Sequence, residues 1–470
     1  MKVYNTLTGR LDDVNHDGAA PTRIYLCGVT VYDKSHIGHA RTIVVFDILR
    51  RYLLSKNCSV EFIQNFTDVD DKIINRAIQE GSTAEEVASR YIQNYFKDFS
   101  SLNVLVADRY PRVTEHIREI IDLISALMIK GYAYLSPNGI YFRVRSFSGY
   151  GKLSKKSIED LVLGARIEID QSKEDPLDFA LWKFHSDPPV WDSPWGVGRP
   201  GWHVECSAMA LKYFKSPFEI HGGGYDLVFP HHENEIAQSE SFSGKQFAKI
   251  WMHSGLVTVN SEKMSKSLGN IVTIHDALKR WGPNSMRIYS ISVHYSKPLD
   301  YSEKLLNDSR QKWRQIETCA CELHFAMGNH GCLREVELLS AQTLKAFETA
   351  MEDNLNTSLA FTVFLKLVTE LNRYAAEEKL TADMAKIADV VFNNIMKVLG
   401  LRIIEANDIE KKEIESLIGM RDQLREQQKF YESDAIRKKL FEEYSVELID
   451  HKKRTIWSKT EEALRLHLVD

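Results

Sequence analysis

The sequence predicts an α/β protein: a parallel-sheet domain carrying an insertion, followed by a mainly α-helical C-terminal region. Three observations give this. Apolar runs and helical spacing alternate as strand, helix, strand between Arg23 and Phe66, the pattern of a crossover joining parallel strands. Residues 131–195 become rich in Gly, Pro and charge around a hairpin signal. From about Leu305 the chain is charged and strongly helical, and apolar stripes with few breakers run through 341–399, as in a helical bundle.

Each element follows in order. Arg23-Ile24-Tyr25-Leu26-Cys27 is a short apolar run ending at Gly28 and reads as a buried strand. Beyond His36-Ile37-Gly38-His39, the apolar residues Val44, Val45, Ile48, Leu49, Tyr52 and Leu53 keep helical spacing between Ala40 and Ser55. That helix is expected to begin near His39. Val60 to Phe66 gives a second strand, and residues 69–130 read as mainly helical, with an apolar run from Ile117 to Ile129. Tyr132 to Leu135 and Ile140 to Val144 flank Pro137-Asn138-Gly139, a hairpin with a loop of several residues. The sheet resumes at Phe218-Glu219-Ile220-His221, with three glycines following that strand. Ile403 to Asp408 is a break. The tail from Ile409 carries two charged helical stretches and a strand candidate at Val446 to Ile449. The expected divisions are 1–130, 131–195 (the insertion), 196–245, 246–304, 305–402 (the bundle) and 403–470.

Bulk properties bound the function. A chain of 470 residues with 44% hydrophobic content exceeds one core, so roughly two to four domains are expected. The formal charge of -5, from 60 basic and 65 acidic side chains, neither demands nor excludes a nucleic-acid partner. No apolar run is long enough to span a membrane, and the N-terminus has no signal-peptide stretch. Six scattered cysteines form no disulfide framework and fit a reducing cytoplasm.

Four groups of residues carry chemistry. His36 and His39 sit at a strand-to-helix turn, where free backbone N–H groups and the helix dipole receive anions. Lys263-Met264-Ser265-Lys266-Ser267 follows the strand candidate Gly255 to Val259. Its two lysines can act as point charges on phosphate from a loop that closes over substrate. Together the two strings suggest one phosphate-handling site. Cys27, Cys206, His231, His232 and Glu235 are metal-ligating types, and Glu235 shares a helix face with His231 at i,i+4 or with His232 at i,i+3. Spacing does not choose between those histidines, and by spacing alone Cys27 and Cys206 read as buried inert thiols. His221-Gly222-Gly223-Gly224-Tyr225-Asp226 lets backbone approach a ligand, and Asp226 could accept from a ribose.

With these strings in hand, the chain resembles the cysteinyl-tRNA synthetases, class I aminoacyl-tRNA synthetases, along nearly its whole length. The resemblance rests on Tyr32-Asp33 through Thr42, Asn65 through Ile73, Arg199 through Ser207, His221 through Glu235, and Trp251 through Asn270. Many class I enzymes share the histidine and lysine strings; the thiol, tryptophan and double-histidine segments are more particular to the cysteine enzymes. One departure is Val29, where the family usually has proline.

The resemblance implies a Rossmann-like catalytic domain and one zinc ion per chain, held by Cys27, Cys206, His231 and Glu235. It implies that His36, His39, Lys263 and Lys266 handle ATP phosphates, with Asp226 on the adenosine side and Mg2+ accompanying ATP. Cys27, Thr67 and Trp202 would meet the amino acid. Zinc would separate cysteine from serine, a pair an apolar pocket discriminates poorly, and no editing domain is evident. The implied partners are L-cysteine, ATP and tRNA(Cys), with a cytoplasmic monomer as the working form. Residues 246–304 would carry the lysine loop and a stem contact, and 403–470 would recognise the anticodon. There Lys452-Lys453-Arg454-Thr455-Ile456-Trp457 combines cations with a stacking ring. A ligase joining cysteine to a small amine would keep the zinc and ATP elements but would not need the long C-terminal region. A non-catalytic binding protein would not need the lysine, histidine and thiol elements intact.

Overall fold

A computed structural model of the chain describes residues 1–14, 20–160, 172–264, 268–328, 330–451 and 455–461. Two compact units emerge. The first comprises Met1–Asp98, Leu105–Leu256 and Tyr295–Lys297; the second comprises Phe99–Val104, Val257–His294 and Pro298–Asp470. No helix among the described residues is long and apolar enough to cross a membrane.

The first unit opens with the hairpin β1 (Lys2–Asn5) and β2 (Arg10–Asp13). Then come β3 (Thr22–Thr30), α1 (Ile37–Ser55), β4 (Val60–Thr67), α2 (Asp71–Glu80), α3 (Ala84–Ser101) and α4 (Ile117–Ile129). The strands β5 (Ala133–Ser136), β6 (Gly139–Phe142), β7 (Phe179–Phe184) and β8 (Gly198–Pro200) form an antiparallel sheet. After it follow α5 (Trp202–Tyr213), β9 (Phe218–Gly224), α6 (Glu233–Ser243) and β10 (Ala248–Ser254). The central sheet is parallel, in the order β10-β9-β3-β4. Its strands read as near-continuous apolar runs because both faces are covered: Ile24, Tyr25, Leu26, Ile63 and Ile220 are fully buried.

The chain leaves β3 toward β4 on one side and leaves β9 toward β10 on the other. β3 and β9 are neighbours, so their carboxyl ends flank a topological switch point, where open α/β sheets bind ligands.

Three local readings are corrected. The helix α1 starts at Ile37, two residues ahead of its expected start, because His36 and His39 cap it reciprocally in place of the usual hydroxyl and carboxylate. The hairpin loop is only Pro137-Asn138, since Ser136 pairs with Gly139. The three glycines lie within β9 rather than after it, and Gly222, Gly223 and Gly224 pair with Met252, His253 and Ser254. Glycine is depleted in strands, but here it lets α1 approach: a Cβ on Gly222 would lie 2.1 Å from Phe46 Cζ.

In the second unit, β11 (Val257–Val259), β12 (Glu262–Lys263) and β13 (Leu299–Tyr301) make a small sheet in the order β12-β11-β13. Two short helices, α7 (Ile274–Trp281) and α8 (Pro283–Ile291), precede four long ones: α9 (Glu303–His324), α10 (Leu333–Glu352), α11 (Thr357–Ala376) and α12 (Ala382–Leu399). A terminal module adds α13 (Asp408–Glu426), α14 (Phe430–Tyr444) and the hairpin β14 (Val446–Asp450) and β15 (Thr455–Lys459). Ile414, Ile418, Leu440, Val446 and Leu448 form its core, with Trp457 packed against it. Lys452, Lys453 and Arg454 lie outside the described residues.

That core is small, so one polar anchor weighs heavily. The buried Arg421 places Nη1 2.9 Å and Nη2 2.8 Å from the two carboxylate oxygens of Asp450. Burial works to raise the Asp450 pKa, but the Arg421 hydrogen bond and charge outweigh it and hold it below its ordinary value. A carboxyl lowered in the folded state stabilises above its unfolded pKa of about 3.9, and that contribution is lost as pH falls through the folded value. Asp450→Ala removes the bidentate partner of the guanidinium, leaving it Asp422 and Thr455, and is expected to cost about 2 kcal/mol, less than a fully buried pair because Asp450 is partly open to water. Amide hydrogen exchange checks this: α13 and β14 should exchange faster while β3 keeps its protection.

Candidate active site and metal centre

The switch point gathers four distant side chains. Cys27 lies on β3 where its register against β4 shifts between Leu26 and Val29. At that bulge the Gly28 N–H donates to Asn65 Oδ1 at 2.9 Å, a side-chain acceptor standing in for the ladder. Cys206 comes from α5, His231 from the turn before α6, and Glu235 from the first turn of α6. Cys27 Sγ lies 3.7 Å from Cys206 Sγ, 3.6 Å from His231 Nε2 and 3.4 Å from Glu235 Oε1. His231 Nε2 lies 3.0 Å from Glu235 Oε1. All four are buried, and their donor atoms lie within 4.8 Å of one another.

The three edges from Cys27 fit a tetrahedron around one ion, and the shorter His231–Glu235 edge is a hydrogen-bond distance. Bonds of ~2.3 Å to sulfur and ~2.0–2.1 Å to nitrogen or oxygen imply edges of ~3.8 Å between sulfurs, ~3.6 Å from sulfur to nitrogen or oxygen, and ~3.4 Å between nitrogen and oxygen. The pair that spacing alone reads as inert thiols is therefore at ligand distance, because the β3–β9 pairing closes a gap the linear sequence leaves open.

Protonation fits the same picture. Burial raises the Cys27 thiol well above its ordinary pKa, and the neighbouring Cys206 adds to the rise. The Cys27 hydrogen bond brings Cys206 down to about 6 against the opposing effect of burial. Burial disfavours charge on His231, yet Glu235 and Cys206 raise it to about 10. Burial likewise opposes charge on Glu235, but His221 and His231 hold it well below the usual carboxylate range. The group balances anionic sulfur and carboxylate against a proton on His231, and a divalent cation can take over that balance.

Further histidines surround the four, and the sequence reading missed His203 and His253 and used His221 only as a strand residue. His221 Nε2 lies 2.8 Å from Glu235 Oε2, His203 Nδ1 lies 3.0 Å from His231 Nδ1, and His232 Nδ1 lies 2.8 Å from His253 Nε2. Thr6 Oγ1 holds His253 Nδ1 at 2.8 Å. Outer partners of this kind orient ligating side chains. Cys27, His221, His232 and Glu235 make a second, overlapping donor group. Of the two histidines that spacing left open, His231 is the nearer to Glu235 Oε1; His232 Nε2 stands 3.9 Å away and has no hydrogen-bond partner among the described residues. A histidine on each of two neighbouring apolar strands, His221 on β9 and His253 on β10, was the available signal.

Thr67 ends β4 and is buried, paired across from Thr30 of β3. Trp202 opens α5, is 38% exposed, and stacks on His231 with ring centroids 4.3 Å apart. Asp226 is exposed in the short turn Tyr225–Leu227 that follows β9.

At the start of α1 the His36 and His39 rings stack 3.6 Å apart. His39 N–H donates to His36 Nδ1, and His36 N–H donates to His39 Nδ1. A neutral imidazole that accepts at Nδ1 carries its hydrogen on Nε2, so both rings offer Nε2–H donors at a helix N-terminus. Burial, then the His36 charge, lowers His39 well below the ordinary histidine pKa, which keeps that ring neutral. Lys263 sits on β12 opposite Thr258. Lys266 lies outside the described residues.

Comparisons with known proteins agree with this geometry. The family described as "tRNA synthetases class I (C) catalytic domain" matches residues 15–311, and the DALR domain matches residues 346–403. A cysteine--tRNA ligase of Caldicellulosiruptor saccharolyticus is 46% identical over 450 residues, covering 94% of this chain and 96% of that one. A cysteine--tRNA ligase of Bacillus licheniformis is 43% identical over 467 residues, covering 98% and 99%. Among solved structures, Mycobacterium tuberculosis methionyl-tRNA synthetase in complex with methionyl-adenylate shares the fold, with a TM-score of 0.60 at 16% identity over 80% of this chain and 90% of that one. By sequence over nearly its full length, and by a catalytic-domain match spanning the parallel sheet, the chain belongs to the class I cysteinyl-tRNA synthetases.

Proposed function

We propose that this protein is a working cysteine–tRNA ligase. It activates L-cysteine with ATP to cysteinyl-adenylate and pyrophosphate, then transfers cysteine to the 3′-terminal adenosine of tRNA(Cys). The observation that carries this is the convergence of Cys27, Cys206, His231 and Glu235 at the carboxyl ends of β3 and β9.

The chain's own residues act by positioning and by charge. The Nε2–H groups of His36 and His39, with the free N–H groups at the start of α1, receive phosphate oxygens as the cysteine carboxylate attacks the α-phosphate. Lys263 and Lys266 neutralise the departing pyrophosphate, with Mg2+ accompanying ATP. Asp226 faces the ribose side, and Thr67 and Trp202 bound the amino acid. The 2′-hydroxyl of the terminal adenosine is the first acceptor. Cys27, Cys206, His231 and Glu235 are the donors for one zinc ion, and mixed sulfur, nitrogen and oxygen ligation suits that metal. When bound, zinc supplies a soft Lewis acid that favours the substrate's thiolate over the hydroxyl of serine. The α9–α12 bundle and the terminal module take the tRNA stem and anticodon. All four donors come from one chain, which supports a monomer, and all six cysteines are free thiols, which supports the cytoplasm.

Cysteine-dependent exchange of pyrophosphate into ATP tests the first step, and cysteine found at the 3′ end of added tRNA tests the second. Exchange with serine equal to that with cysteine would overturn the assignment. Lys266→Ala is expected to slow adenylate formation by about 10²-fold or more, with an unchanged unfolding curve. Near-normal exchange by that variant would remove the lysine from the mechanism.

A further inference from the structure

Just past the histidine pair, α1 carries a cation that the scheme above leaves without a role. Arg41 is fully buried, and its guanidinium reaches the backbone carbonyls of two separate segments. Nη1 donates to Gly255 O and to Leu256 O, both at 3.1 Å. Nη2 donates to Tyr295 O at 3.4 Å and to Lys297 O. The two segments also meet directly, because Gly255 N–H donates to Tyr295 O at 2.8 Å. The next residue of α1 adds a tie to the same place: Thr42 Oγ1 lies 2.6 Å from Ser254 Oγ, at the end of β10.

The clasped segments have a particular place in the chain. Leu256 is the last residue of the first unit before Val257–His294, and Tyr295–Lys297 is the return, left again at Pro298. Val257 opens β11 and Leu299 opens β13, and these two residues face each other in a parallel pair. Each clasped segment therefore runs directly into one strand of that pair. On its other edge β11 pairs with β12, which sets Thr258 opposite Lys263. Holding both roots fixes where β11 and β13 start, and with them the backbone at Lys263.

Arginine suits this task. Its guanidinium presents N–H donors in a rigid plane and can bridge two segments at once, whereas a lysine ammonium is a compact point charge on a flexible stem. Burying a charge is costly unless it is hydrogen-bonded, and buried backbone carbonyls need donors, so each side satisfies the other. We propose that Arg41 is a positioning residue for adenylate formation: it clasps the two segments from which β11 and β13 spring, and so sets the course of the chain into the lysine string. This rests on the cysteine ligase assignment and adds to it a group that acts through the lysines.

Arg41→Lys keeps the charge and loses the fork. In the full-length, metal-loaded protein it should slow cysteinyl-adenylate formation by about 10- to 100-fold, the cost of misplacing a reacting group by about an ångström. Metal content and the calorimetric affinity for cysteine should not change. The deciding measurement is the same substitution in a Lys263→Ala/Lys266→Ala background, followed by single-turnover adenylate formation. If Arg41 acts through the lysines, its loss costs less than about threefold there, because residues that act as a unit are not additive. An equal cost in both backgrounds would mean that Arg41 supports only the fold or the α1 histidines, and lost metal would mean that it acts on the metal centre. Either result overturns the proposal, as does an unslowed Arg41→Lys. If Arg41→Lys does not fold, Thr42→Val decides: losing the neighbouring tie to Ser254 should slow the step by about three- to tenfold alone and by less than about twofold without the lysines. An absent or fully additive effect of Thr42→Val overturns the proposal equally. Failure of the ligase assignment shows separately, as absence of cysteine-dependent exchange by the unaltered enzyme.

Discussion

Gly28→Ala is expected to unfold the switch point and empty the metal centre together. The position has an ordinary backbone conformation, so the effect is one of space. A Cβ there would lie 1.5 Å from the Asn65 carbonyl oxygen and 2.6 Å from its carbon. Both are backbone atoms of β4, and neither can swing aside as a side-chain tip would. The bulge must open, which breaks the bond from Gly28 N–H to Asn65 Oδ1 and displaces Cys27, the preceding residue. Backbone strain at a fixed site with loss of a buried hydrogen bond is expected to cost at least about 3 kcal/mol. Chemical unfolding with elemental analysis of the purified variant is the check. A variant with wild-type stability and full metal content would mean that the bulge does not set the position of Cys27. Val29, where the family usually has proline, follows this bulge and pairs with Phe66 in the β3–β4 ladder.

Glu235→Gln should have the second large effect, on chemistry more than on fold. The carboxylate serves two histidines at once: Oε1 stands 3.0 Å from His231 Nε2, and Oε2 stands 2.8 Å from His221 Nε2. The amide has nearly the same shape, so packing survives. It carries no charge, and one of its two ends becomes a donor facing an imidazole. Losing an outer partner of a metal ligand typically costs ~10–100-fold in affinity, and losing a direct anionic donor should cost more. The expected result is a folded protein with little bound metal and cysteine-dependent exchange at least about 10²-fold weaker. Full metal content measured after dialysis would exclude Glu235 as a donor.

The sequence disclosed the parts of this molecule that depend on local pattern. The β3-α1-β4 unit is legible because buried parallel strands are apolar from end to end and α1 keeps its spacing. The turn into α1 is legible because two histidines at a strand-to-helix junction form a compact signal. The glycine-rich end of β9 was not read as strand, because the reason for glycine there is the approach of Phe46 from another element. The nearness of Cys27 to Cys206 was equally hidden: it comes from sheet order, which no window of sequence contains. His203, His221 and His253 look like ordinary histidines until β9, β10 and α5 are placed around the four donors. Arg41 reads as one more helical arginine until the carbonyls of two distant segments are seen around it.

The β3–β9 pairing also governs when the protein becomes competent. Cys27 leaves the ribosome long before His231 and Glu235 do; at about 5–20 residues per second the wait is on the order of ten to forty seconds. Closing so long a stretch of chain is entropically uphill until the partners meet. The early cysteine must therefore stay reduced and unclaimed for the 208 residues that separate it from Glu235, and the closing of the four donors on one another marks the moment when the nascent sheet has come together.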